Sequence, residues 1–377
     1  MTTVGGLLPA ELLKIELLDR GLTLSRRAVD YINERNRGRA MTSADYASTS
    51  GIILMLGDDV WVNAPVSVHN PNFVSHTPFE LDCSGDALFV HGEGFSEPAK
   101  FWLQPAWHGQ PNENGEAYNS YAFTHADRVR ISPIEGCAIT CKFCDLPYEF
   151  RYRTKRIEGL LDVARTARDD AVQPASHVLI SGGTPRPADY GYVRDVYEAA
   201  LTGLDIPVDI MMVPVEGLLD VPRLGELGVD EFSINIEIYN REIARKVMRR
   251  KFDMGLDFYL DFIEKSSEIL GAARVRSMFM VGIEPVDDTL AGVRAVAERG
   301  GVPVLSPFRP DPSTPMRDDP PPDAATLLDV YLRAREICHQ HEVPLGPRCI
   351  PCSHNTLTFA SQGSGDAHTY YGPVATV

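Results

Sequence analysis

A chain of 377 residues with 44% hydrophobic and 23% charged residues can bury a sizeable core, and one large domain with an appendage is the expectation. Thirty-six Lys and Arg against 52 Asp and Glu give a formal charge of −16, which disfavours a broad field for phosphate backbones and so argues against nucleic acid as a partner. The start, MTTVGGLLPAELLKIELL, has no basic segment before an apolar run, and acids interrupt later apolar stretches before the roughly 18 residues a membrane span needs; a cytoplasmic enzyme without membrane contact is expected.

Residues 1 to about 50 carry apolar positions at three- and four-residue spacing in PAELLKIELLDRGL and SRRAVDYINERNRG, which predicts two helices, with Gly38 as a stop. From about 51 to 108, GIILMLGDDVWVNAPVSV and DALFVHGEGFSEPAKFWLQP are short β-rich runs punctuated by Gly, Asn and Pro. HGQPNENGEAYNS then reads as a connection. After about residue 128, apolar strands alternate with amphipathic helices: RVRISPIEG, SHVLISGG, PVDIMMVP, EFSINIEI, RVRSMFMVG and VPVLSPF are separated by helical stretches, one of them long, from about 240 to 270, and a last helix spans about 323 to 342. Six β/α units imply a parallel sheet with right-handed crossovers. The expected fold class is α/β, a partial (β/α)6-type TIM barrel over 128–343, with a small N-terminal α+β extension over 1–127 and a cysteine-containing C-terminal tail over 344–377.

Seven cysteines is an odd count, and three of them, Cys137, Cys141 and Cys144, fall in GCAITCKFCDLP directly after the first barrel strand, where such barrels gather their active sites. The clustering points to metal or redox chemistry in a reducing compartment rather than a disulfide framework. A closed zinc ribbon needs four ligands as two nearby pairs, and the next Cys-x-x-Cys, Cys349 and Cys352, lies about 200 residues away. A four-iron cluster held by three thiolates instead leaves one iron open to a substrate.

The Cys-x3-Cys-x2-Cys spacing, with the aromatic Phe143 before the last cysteine, resembles the signature of the radical S-adenosylmethionine superfamily. The resemblance implies a [4Fe-4S] cluster on Cys137, Cys141 and Cys144 that binds S-adenosyl-L-methionine, reductively cleaves it and so generates a radical that abstracts hydrogen from a substrate. It also implies an external electron donor such as flavodoxin or ferredoxin.

Other segments resemble the biotin synthase and lipoyl synthase-like branch and imply further cofactor contacts. Gly182, Gly183 and Thr184 would hold the methionyl amino group, and Ser233, Asn235 and Glu237, on one face of FSINIEIYN by the period-two rule, would meet the ribose. Arg250 is expected on the carboxylate, with Arg249 and Lys251 as rivals by spacing, and Val281 and Gly282 are expected beside adenine. Asp311 and Arg309 could reach substrate from the loop after the sixth strand, whereas Cys338, at helical spacing from Leu332, Ala334 and Ile337, reads as core.

The run EVPLGP is expected to carry the chain back to the barrel mouth and deliver Cys349 and Cys352 as catalytic residues. They would be ligands of an auxiliary iron-sulfur cluster with Cys83, His354 or substrate completing it, or a redox dithiol, or inert thiols. The first reading of function is a radical enzyme acting on a small-molecule substrate with sulfur insertion from that cluster; the second is a radical dehydrogenation, rearrangement or carbon-carbon lysis without it. A non-catalytic metal-binding protein is the rival from another class. The N-terminal extension is expected to lid the mouth or to recruit a carrier or peptide.

Overall fold

The computed structural model describes residues 3–36, 51–67, 74, 76–362 and 374–377. The N-terminal region opens with α1 (Pro9–Arg20), β1 (Thr23–Leu24) and α2 (Arg26–Arg35), the last capped by Ser25, whose Oγ accepts the Ala28 N–H at 3.0 Å. The expected stop at Gly38 lies outside the described residues. Strands β2 (Gly51–Leu56), β3 (Val60–Pro65), β4 (Glu80–Ser84), β5 (Ala87–Gly92) and β6 (Phe95–Phe101) complete a six-stranded sheet in the order β1-β4-β5-β6-β2-β3.

The second sheet begins with an antiparallel hairpin, β7 (Ala122–His125) and β8 (Arg128–Ile131). The cysteine loop follows, enclosed by a two-residue hairpin of β9 (Ile134–Glu135) and β10 (Arg153–Thr154) with the short α3 (Leu146–Glu149) between them. Then come α4 (Ile157–Arg168), β11 (His177–Ile180), α5 (Tyr190–Gly203), β12 (Val208–Met211), α6 (Val221–Glu226) and β13 (Glu231–Ser233). The series closes with α7 (Arg241–Val247), α8 (Arg249–Asp253), α9 (Leu256–Leu270), β14 (Val275–Val281), α10 (Val286–Ala297), β15 (Val302–Pro307) and α11 (Ala324–Gln340). Strands β8 and β11 to β15 are parallel neighbours in chain order, with β7 added at one edge. This curled sheet is the partial (β/α)6-type TIM barrel expected.

The strands are buried on both faces, and their lumen-facing side begins with charge. His177, Asp209, Glu231 and Arg276 are all buried at or next to the first residues of β11, β12, β13 and β14. Arg276 bonds Glu231 and lies 3.9 Å from Asp209, and Arg348 pairs with Asp230 at 2.7 Å. Opposite charges paired in this way let buried polar groups line the barrel floor.

Two expectations are corrected here. The long helix from about 240 to 270 is three helices, interrupted at Met248 (φ −138°, ψ 57°) and at Gly255, and the middle turn directs Lys251 towards β13. Among the described residues of the tail, Cys349 and Cys352 do not climb to the mouth. After α11, the Gly346 N–H bonds the Pro303 carbonyl at 2.9 Å, and eleven residues later the Leu357 N–H bonds the Leu305 carbonyl at 2.9 Å. The tail thus runs along β15 and fills the open seam of the half barrel.

The N-terminal sheet packs over that seam. Lys14 Nζ donates to the carbonyls of Ser353 (2.9 Å) and Thr358 (3.0 Å), Trp102 Nε1 to Ala126 O (3.1 Å), and Ile53, Trp61, Trp102 and Ile350 form one buried cluster. Each such apolar side chain contributes on the order of 1.5–3 kcal/mol on burial. Among the described residues, none lining the mouth cleft comes from this region, and those described brace the seam.

Candidate active site

The loop after β8 places Cys137, Cys141 and Cys144 along one side of a cleft of about 590 Å³, its open mouth included, at the C-terminal ends of the strands. Ile139, Phe143, Gly182, Thr184, Ser233, Asn235, Glu237 and Lys251 share its lining, and Met211, Met212 and Val213 form an apolar wall. The loop is held by its neighbours: the Lys142 N–H bonds Val247 O and the Ala138 N–H bonds Thr184 O, both at 2.9 Å.

Two backbone N–H groups point at Cys137 Sγ, from Thr184 at 3.1 Å and Ile139 at 3.3 Å. The first depends on Gly183. A Cβ there would lie 1.7 Å from Gly136 O and 2.7 Å from Cys137 Cα, so only glycine lets the strand-end turn nest against the cysteine loop. Burial, reinforced by Glu237, pushes the Cys141 thiol up to about 12, and burial with Asp145 pushes Cys144 higher still. Protein alone therefore leaves these two thiols protonated, and cluster iron would take the place of the protons. Three converging thiols with N–H donors on one sulfur, beside a polar groove, fit a three-cysteine iron-sulfur cluster with room next to it.

The polar row expected on one face is present. Ser233 Oγ donates to Asn235 Oδ1 at 2.9 Å, and that oxygen also accepts the Met278 N–H at 3.2 Å, so the amide is fixed from two sides. Glu237 lies beyond the end of β13 with φ 65°, a left-handed conformation that costs a non-glycine residue on the order of 1–3 kcal/mol. Bonds from Glu237 N to Met278 O (2.8 Å) and from Met280 N to Glu237 O (2.9 Å) hold it there, which keeps the carboxylate at the cleft.

The basic stretch resolves to Lys251 rather than Arg250. Lys251 Nζ, buried, donates to Glu237 Oε2 at 2.7 Å and to Asn235 O at 2.9 Å. Arg250 Nη1 bonds Ala138 O at 3.0 Å from the outside of the cysteine loop, and Arg249 pairs with Asp253. One residue turns a helix by about 100°, so of three adjacent cations only one can face the groove. Val281 and Gly282 do not line the cleft: Val281 is buried and its carbonyl accepts the Phe308 N–H, while Gly282 (φ 103°) packs against Pro322. Arg309 is buried against Asn63 O and Asp311 caps the Ser313 turn. Cys338 is core, as read.

Cys349 and Cys352 lie at the opposite end of the barrel. Both thiols are buried against Asp127 and His177, which precede or begin β8 and β11 at their N-terminal ends. A floor already lined with complementary polar groups receives the tail from below, and the pair never reaches the mouth. Cys83, on β4, bonds Gly85 O, and His354 Nδ1 faces Pro351 O, so neither completes a set with them. Asp127 and His177 escaped the sequence reading. Their signal is a charged or imidazole residue at the start of strands that are otherwise buried on both faces.

Residues 131–299 match the family model described as Radical SAM superfamily. Among curated proteins, the bacteriochlorophyllide c C-7(1)-hydroxylase of Chlorobaculum limnaeum is 22% identical over 172 residues, 42% of this chain and 43% of that protein, so the match spans less than half of the relative. Among solved structures, HydG, a maturase of the [FeFe]-hydrogenase, shows 12% identity over 56% of this chain and 49% of its own at a TM-score of 0.46. A radical SAM methyltransferase from Sphaerobacter thermophilus shows 14% identity over 76% and 82% of the two chains, also at 0.46. Residues 131–299 are a radical S-adenosylmethionine superfamily domain, whose cofactors are a [4Fe-4S] cluster and S-adenosylmethionine.

Proposed function

We propose that this radical S-adenosylmethionine enzyme abstracts hydrogen from a small-molecule substrate at the barrel mouth and transforms it without inserting sulfur. The observation that carries the reading is that Cys137, Cys141 and Cys144 share one cleft with the fixed polar row Ser233, Asn235 and Glu237 and with Lys251. When bound, the cluster and S-adenosylmethionine supply a hydrogen-abstracting radical from one electron, which an external donor such as flavodoxin or ferredoxin would deliver.

The chain's own residues bind, orient and exclude water. Cys137, Cys141 and Cys144 would hold the cluster. Asn235 and the Lys251–Glu237 pair present an oriented amide, carboxylate and ammonium to the hydroxyl, amino and carboxylate groups of S-adenosylmethionine. Preformed partners of this kind lower the cost of ordering a bound molecule. Met211, Met212 and Val213 keep one wall apolar, which limits water beside a reactive species. The row that starts at the end of β13 and continues beyond it supports kinship with the biotin and lipoyl synthase-like branch.

Sulfur insertion would need a sulfur donor at the mouth, and Cys349 and Cys352 sit on the floor. That placement supports the second reading, a radical dehydrogenation, rearrangement or carbon-carbon lysis, and the Chlorobaculum relative, named as a hydroxylase, adds a further sulfur-free outcome. Anaerobically reconstituted, reduced protein given S-adenosylmethionine and a panel of small metabolites tests this. Stimulated 5′-deoxyadenosine with a sulfur-free product is expected; a product carrying new sulfur would reverse the choice.

A further inference from the structure

We infer that Asp127, His177, Cys349 and Cys352 bind a single zinc(II) ion that fastens the C-terminal tail to the barrel floor. All four residues are buried, and their donor atoms lie within 4.8 Å of one another. Four edges of this tetrahedron are nearly equal. Cys349 Sγ to Asp127 Oδ1 is 3.3 Å, Cys352 Sγ to Asp127 Oδ1 3.7 Å, Cys352 Sγ to His177 Nε2 3.4 Å and His177 Nε2 to Asp127 Oδ1 3.7 Å. A tetrahedral ion with bonds of about 2.3 Å to sulfur and about 2.0 Å to nitrogen or oxygen spaces its donors by about 3.3–3.8 Å. An iron-sulfur cluster sets bridging sulfides between its irons and spreads its terminal donors wider than this group allows.

The surroundings support an ion. His177 turns its other nitrogen, Nδ1, to Asp209 Oδ2 at 3.3 Å, the carboxylate–imidazole arrangement that fixes the tautomer of a zinc-binding histidine. The Cys352 N–H points at Cys349 Sγ at 3.3 Å, as in a Cys-x-x-Cys chelate. Asp127 is fully buried, and among the described residues its Oδ2 has no hydrogen-bond partner. A network of two thiols and an imidazole without metal leaves that carboxylate poorly compensated. Two thiolates and an imidazole favour zinc over calcium or magnesium, and four protein donors leave no open position, so the ion is structural. Both thiol protons leave to solvent on binding. Zinc with two thiolates and one carboxylate sums to −1, with the Arg128 cation beside the thiols to offset it.

The site ties three distant segments together, the β7–β8 turn, the start of β11 and the tail. It stands apart from the mouth cysteines, so the two can fail independently. The test uses full-length protein expressed with zinc and purified anaerobically, counting zinc and iron per chain. Three proteins are compared: wild type, a Cys137→Ala, Cys141→Ala, Cys144→Ala variant, and a Cys349→Ser, Cys352→Ser variant. About one zinc is expected in the first two and none in the third. X-ray absorption at the zinc edge of the wild type, which requires no variant to fold, is expected to show two sulfur and two nitrogen or oxygen neighbours. A wild type without zinc, zinc kept by the double variant, a zinc shell lacking two sulfurs, or iron lost with Cys349 and Cys352 would each overturn the inference. Loss of iron from the triple variant with zinc retained separates this site from the mouth.

Discussion

Replacing Lys251 with methionine removes the cation that faces Glu237 at 2.7 Å and the donor to Asn235 O at 2.9 Å. Burial by itself would lower the Lys251 pKa; the Glu237 carboxylate outweighs it and holds the ammonium charged above its usual range. A raised lysine pKa stabilises fully below the unfolded value of about 10.4 and is lost only as pH climbs through the folded one, so at pH 7.5 the whole effect is present. Breaking one side of a buried pair costs about 3–5 kcal/mol. The Glu237 side chain is 14% exposed and borders an open cleft, so water recovers part of this and about 2–3 kcal/mol remains. Glu237→Gln is expected to cost about 2 kcal/mol, because the amide still accepts a bond but no longer balances the charge. The double variant removes the mismatch that each single one creates, so its destabilisation should fall short of the sum by about 2 kcal/mol. Urea unfolding of the four proteins at one pH measures this coupling. Additivity within about 0.5 kcal/mol would show that the two side chains do not act as a pair.

Gly183→Ala forces the turn away from Gly136 O, so iron incorporation should fall by at least half while the far-UV circular dichroism is kept; a full iron content would contradict the nested turn. Gly282→Ala meets Pro322 at 2.7 Å from a φ of 103°, and should cost about 1–3 kcal/mol with S-adenosylmethionine affinity unchanged, as measured by calorimetry. Burial lowers the Lys14 pKa to about 7, Glu11 and Asp59 opposing it. The unfolded chain then binds more protons than the folded one between about pH 7 and 10, so this residue makes stability rise with pH there, by up to about 1.4 kcal/mol per unit. The difference in pH slope between wild type and Lys14→Met, from denaturant unfolding at pH 6 to 9, reads that contribution; equal slopes would refute it.

The barrel and its mouth were legible because each rests on local pattern. Strand and helix periods alternate, and Cys-x3-Cys-x2-Cys follows the first parallel strand, so chain order alone puts the thiols at the strand ends. Ser233, Asn235 and Glu237 were found by the period-two rule even though β13 ends at Ser233 and Glu237 turns left-handed, since extended backbone continues the alternation. Periodicity did not choose among Arg249, Arg250 and Lys251, because breaks at Met248 and Gly255 set the phase of α8. The tail was misplaced for a different reason. Its length would reach either end of the barrel, and the choice is made by Asp127 and His177, more than 170 residues earlier in the chain.

That Cys137, Cys141 and Cys144 would hold a four-iron cluster able to bind S-adenosylmethionine beside Asn235, Glu237 and Lys251 is tested by low-temperature electron paramagnetic resonance. The reduced, reconstituted protein is recorded with and without S-adenosylmethionine. A single reduced [4Fe-4S] signal is expected, absent from Cys141→Ala, whose g-values shift on adding S-adenosylmethionine and shift less in Lys251→Met. A signal that ignores S-adenosylmethionine, or that survives Cys141→Ala, would contradict it.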